Sequence, residues 1–109
     1  MKLLSNLEDL RKLVYSSRVA IVAYLGSDES LNDYVVRVLR KLEEVSKEAI
    51  SYGSYRVNES TRNVVVVVYI DGREVLEQRY YFMKLELDVI ALKMGIRSVM
   101  NSLGLRTPF

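Results

Sequence analysis

The chain has 109 residues, 16 Lys and Arg against 14 Asp and Glu for a net charge of +2, and neither cysteine nor histidine. Half of the residues are hydrophobic and 28% are charged, the balance of one folded domain spanning 1–109, and a charge this small does not demand a polyanionic partner. The two missing residue types exclude a thiolate nucleophile, a redox disulfide and Cys-ligated zinc, and they remove the commonest general base and transition-metal ligand.

Leu3, Leu4, Leu7, Leu10, Leu13 and Val14 recur at helical spacing, with Ser5 or Asn6 as the cap, and Ser16-Ser17 breaks the pattern. Met1-Lys2-Leu3-Leu4 begins like a signal peptide. Glu8, Asp9, Arg11 and Lys12 interrupt it at once, and no apolar run reaches the roughly 20 residues of a membrane span, so a cytoplasmic protein without membrane contact is expected. Few thermolabile residues and Arg-heavy cations point to a thermophilic source. Arg18 to Leu25 is a nearly continuous apolar run, the pattern of a strand buried on both faces. Gly26-Ser27-Asp28-Glu29-Ser30 is a turn with helix-start chemistry. The helix after it carries Leu31, Tyr34, Val35, Val38, Leu39, Leu42 and Val45 on one stripe.

Three strands follow. Ala49 to Val57 alternates loosely, and Asn58 to Arg62 is a short polar loop. Val64 to Ile70 is a β-branched run without a polar face. Asp71-Gly72 is a type I′ hairpin signal, because both central residues of that turn need positive φ. Glu74 to Phe82 returns with alternation. Leu87, Ile90, Ala91, Met94, Val99 and Leu103 then fall mostly at helical spacing, with Gly104 at the C′ position and Pro108 beyond it. The order is α-β-α-β-β-β-α. A right-handed parallel β-α-β unit followed by an antiparallel hairpin makes a mixed four-stranded sheet with helices packed on it, in the α/β (α+β) class.

This layout resembles a thioredoxin-like domain over nearly the whole chain. Ser27-Asp28-Glu29-Ser30 stands where such domains carry Cys-x-x-Cys, so Ser27 and Ser30 occupy the redox positions in an inactive form. Val64 to Val75 looks like their apolar strand, tight turn and return strand. Two features depart from the pattern. The helix between the second and third expected strands is replaced by Asn58 to Arg62, and Arg62-Asn63-Val64 stands where a cis-proline belongs. In these losses the chain is similar to the degenerate first thioredoxin-like half of the N-terminal region of bacterial alkyl hydroperoxide reductase flavoproteins, and to the tandem protein disulfide oxidoreductases of archaea. Arg79, Tyr80 and Asp88 fit the stretch those proteins carry before the last helix, whereas Phe82, Lys84 and Glu86 replace its glycines and proline. The resemblance implies a redox-inactive domain.

The chemistry candidates are few. Ser27, Asp28 and Ser30 can cap the helix or bind an anion through its free amides. Serine cannot replace cysteine in disulfide exchange. Asp28, Glu29 and Asp33 read as solvated first-turn acids rather than a metal site, and no cofactor is implied. Tyr52, Tyr55 and Tyr81 with Arg56, Arg62 and Arg79 form an alternative nucleic-acid face, since aromatics interleaved with Arg on a sheet can stack bases and grip phosphates. From Ser30 onward the order α-β-β-β-α is also that of a double-stranded-RNA-binding domain, but that family's Lys-Lys-x-Ala-Lys and Gly-Pro-x-His motifs are missing. No two potential catalytic groups are convincingly paired, so no enzyme is expected.

The expected function is therefore a protein–protein interaction module. Loss of the middle helix uncovers part of one sheet face, and Val64, Val66, Val68 and Ile70 are the expected interface. The partner is a second copy in a homodimer, or a larger protein, by analogy a cysteine-bearing oxidoreductase.

Overall fold

The computed structural model describes residues 1–57 and 63–109. Its order is β1 (Lys2–Leu4), α1 (Leu7–Ser16), β2 (Val19–Leu25), α2 (Glu29–Ser46), a 3₁₀ turn (Lys47–Ala49), β3 (Ser51–Arg56), β4 (Val65–Ile70), β5 (Arg73–Gln78) and α3 (Leu85–Ser102). The sheet order is β1-β3-β2-β4-β5. β3 runs parallel to both β1 and β2, while β4 is antiparallel to both β2 and β5. The mixed sheet is thus as expected, with one strand more.

That extra strand comes from the first apolar stripe. Leu3 and Leu4 do not belong to α1. The Asn6 side chain accepts from the Asp9 amide at 2.8 Å, which caps the helix and stops it extending backwards. Lys2 to Leu4 instead pair with Gly53 to Tyr55. The Asp71-Gly72 turn has φ of 51° and 78° and joins β4 to β5 as a type I′ hairpin. Gly104, at φ 72°, follows the last turn of α3.

The sheet buries both faces against helices. On one face, α2 (Val35, Val38, Leu39, Leu42) and α3 (Leu92, Ile96, Met100) cover Ile21, Ala23, Tyr52, Val66 and Val68. On the other, Leu13 and Val14 of α1 cover Ala20 and Val22. A Cβ on Gly53 would lie 2.7 Å from Leu13 Cδ2 and 2.9 Å from Leu4 Cδ1, so the missing side chain lets α1 sit this close to β3.

Among the described residues no helix stands between β3 and β4. The face beyond α1 is not purely apolar, however, since Val65 and Val67 lie there beside Glu74 and Glu77. It carries a tyrosine cluster, with Tyr24 and Tyr69 hydroxyls 2.5 Å apart and the Tyr24 and Tyr55 rings edge to face at 6.2 Å. Burial first, and then the Tyr69 hydroxyl, push the Tyr24 phenol well above its ordinary range.

Candidate functional site

Two segments lie at the same end of the sheet, where β2 enters α2 and β5 enters α3. The first is the turn Gly26–Ser30. Asp28 is the N-cap of α2, its carboxylate accepting from the Leu31 amide at 3.2 Å. Ser27 and Ser30 are exposed on either side of it, so the expected capping role falls to Asp28 alone. Buried Asn32 then locks the turn from below. Its side-chain oxygen accepts from the Gly26 amide at 3.0 Å, and its side-chain nitrogen donates to the Gly26 carbonyl at 2.9 Å. Arg56 donates twice to Glu29, at 2.6 and 3.3 Å, joining the end of β3 to the start of α2. The Arg56 hydrogen bonds hold the Glu29 carboxyl below its usual range. This turn is tied by Asp28, Asn32 and Arg56, and its serine hydroxyls offer no group that ionises near neutral pH.

The second segment runs from Arg79 to Lys84. Its anchor is Asp88, which is fully buried in the first turns of α3. The carboxylate accepts from the amides of Phe82 at 2.9 Å and Met83 at 3.1 Å, and from the Tyr34 hydroxyl of α2. Lys84, the N-cap residue, makes no side-chain capping bond, and Asp88 instead reaches back from the helix to the two amides that precede Lys84. Burial and the neighbouring carboxylate push the Tyr34 phenol up to about 12. Met83 is held at φ 62°, a left-handed conformation that methionine rarely adopts. Tyr81 points inward, its hydroxyl within 2.8 Å of the Val64 carbonyl and 3.0 Å of that of Gln78.

Pinning this backbone turns apolar side chains outward. Tyr80, Phe82 and Met83 on the loop, and Leu87, Ile90 and Met94 on α3, are 45–86% exposed. Leu87, Ile90 and Met94 read in the sequence as part of one set at helical spacing. The core-facing row is Leu92, Ile96 and Met100, four residues apart. The helix is apolar on both sides, and the second side is what sequence periodicity hides.

The other expected sites disperse. Val64, Val66, Val68 and Ile70 are only 0–4% exposed. They form the core under α2 and α3 and cannot meet a partner, because β4 turns that face toward the helices. The Tyr/Arg face does not assemble either. Tyr52 is buried against Ser46, its hydroxyl 2.7 Å from that of the serine, whereas Tyr55 lies with Tyr24 on the opposite face of the sheet. Arg56 is committed to Glu29 and Arg79 is paired with Glu77. Arg62 lies outside the described residues. Among the described residues no group of three or more acidic side chains could hold a metal ion, and no helix is long and apolar enough to cross a membrane.

No protein-family model matches the chain, and no curated protein is detectably similar to it in sequence. Solved structures do match. A thioredoxin from Halobacterium salinarum NRC-1, in a mutant form, superposes with a TM-score of 0.69 at 17% identity, covering 90% of this chain and 88% of that one. Oxidised mitochondrial thioredoxin 3 of Saccharomyces cerevisiae gives 0.66 at 18% identity over 90% and 94% of the two chains. Oxidised thioredoxin of Plasmodium falciparum gives 0.68 at 8% identity over 91% and 98%. The fold is thioredoxin-like, carried by a chain that has no cysteine sulfur with which to exchange a disulfide.

Proposed function

We propose that this thioredoxin-fold chain is a redox-inactive module that works by protein–protein contact. Thiol–disulfide exchange needs two sulfurs, and the chain has no cysteine to supply them. One observation supports the contact role. Tyr80, Phe82, Met83, Leu87, Ile90 and Met94 expose apolar side chains on a helix and on a loop whose Phe82 and Met83 amides are bonded to buried Asp88. A soluble domain that exposes contiguous apolar side chains on a fixed backbone has a surface suited to an interface. The partner in this reading is a second copy or a larger protein, by analogy a cysteine-bearing oxidoreductase. A cytoplasmic location and a thermophilic, archaeal source complete the reading. They rest on composition and on the resemblance to thioredoxin-like proteins of archaea.

The test compares the full chain with Phe82→Ser and Ile90→Asp as immobilised baits, in lysate treated with nuclease. Both variants are expected to keep the wild-type far-UV circular dichroism and to lose a protein that wild type retains. Identical retention by all three baits overturns the reading. Retention that disappears on nuclease treatment also overturns it, because the bound species is then nucleic acid.

A further inference from the structure

We infer that the apolar stripe of α3 is covered by α3 of a second copy, running antiparallel in a two-fold dimer. This inference rests on the contact reading above and commits it to one partner. At 100° per residue, Leu87, Ile90 and Met94 fall within roughly 60° of one another on the outer side of the helix. All three are about half exposed or more. Glu86, Lys93 and Arg97 fall within roughly 40° along one flank of that stripe, with the acid at one end and both bases at the other. None of the three is in an ion pair among the described residues.

That charge order complements itself in only one direction. In an antiparallel helix pair each flank meets the same flank of its partner, in reverse order. A two-fold axis passing between Ile90 and Ala91 sets Leu87 against Met94 of the second copy and Ile90 against small Ala91. The same axis brings Glu86 between Lys93 and Arg97 of the second copy, and the symmetry repeats that contact at the other end. A parallel pair sets the charged flank against the opposite flank, which carries Gly95 and Ser102, and leaves the charges unmatched. Phe82 and Met83 extend the patch at each end.

The experiment is sedimentation velocity on the full chain over a wide concentration range. Wild type is expected to pass from the 12.6 kDa monomer to twice that mass. Glu86→Lys, and separately Lys93→Glu with Arg97→Glu, should each weaken self-association about tenfold or more, by setting like charges opposite one another. An equimolar mixture of the two variants should regain the wild-type dimer, because opposite charges then face each other at both ends. Three results overturn the inference: a wild type that stays monomeric throughout, charge variants that associate like wild type, or a mixture that does not recover. If wild type is monomeric while Ile90→Asp still loses a heterologous protein, only the second copy is overturned and the contact reading stands. If Ile90→Asp changes neither measurement, both are overturned.

Discussion

At the scale of single residues, the site depends on one buried carboxylate. Asp88 accepts from two loop amides and one phenol in a position with no solvent access. Asp88→Ala leaves those part-buried donors unpaired and should cost about 2 kcal/mol in urea unfolding, with Asp88→Asn costing about half as much. Limited proteolysis of Asp88→Ala is expected to cut first between Arg79 and Lys84, where the anchor is lost. The tyrosines carry a pH signature. Burial pushes Tyr34 and Tyr52 each up to about 12, against an ordinary phenol value of 10.0. A raised folded-state value means that the native state holds its proton while the unfolded chain has released it. The stability these groups contribute is therefore complete below pH 10 and lost as pH rises from about 10 to about 12. Phenolate absorbance of the native chain should lag that of the urea-unfolded chain, and Tyr34→Phe should reduce the lag. Glu29 has the opposite sign: Arg56 depresses its pKa, so its small contribution is present above the normal glutamate range and fades as pH falls.

At the scale of elements, close backbone approach decides what packs where. Gly53→Ala drives a Cβ to within 2.7 Å of Leu13 and 2.9 Å of Leu4, both buried. It should destabilise the chain by about 1–3 kcal/mol, read as a lower urea midpoint with unchanged slope. Gly72→Ala has two obstacles, since that residue sits at φ 78° and its Cβ would meet the Tyr15 ring at 2.7 Å. The elements themselves were largely legible. The β2 run, the α2 stripe, the Asp71-Gly72 turn and the Gly104 stop all follow from local rules of periodicity, capping and φ. Strand β1 was not legible, because a three-residue strand is defined by its partner β3 rather than by its own pattern. Asp88 matched the family resemblance by position alone, and nothing local showed that it would be buried beneath its own loop.

At the scale of the whole molecule, the two β4 faces and the two α3 faces separate core from surface. Val66→Asp places a charge in the core under α2 and α3 and should unfold the chain, with loss of the far-UV signal. Ile90→Asp should leave that signal intact, because Ile90 is half exposed. This pair of variants distinguishes the interface read from the sequence from the exposed α3 surface proposed in its place. By itself the sequence determined the types and order of every element except β1, the mixed character of the sheet and the absence of thiol chemistry. Those follow from residue identity and from spacing along the chain, which need no knowledge of distant contacts. Only the tertiary structure decided which side is inside where a segment is apolar on two opposite sides. Val64 to Ile70 and Leu85 to Met100 are apolar on both faces, so their periodicity cannot choose between core and surface. That choice belongs to the helices that cover β4 and to the sheet that covers one side of α3.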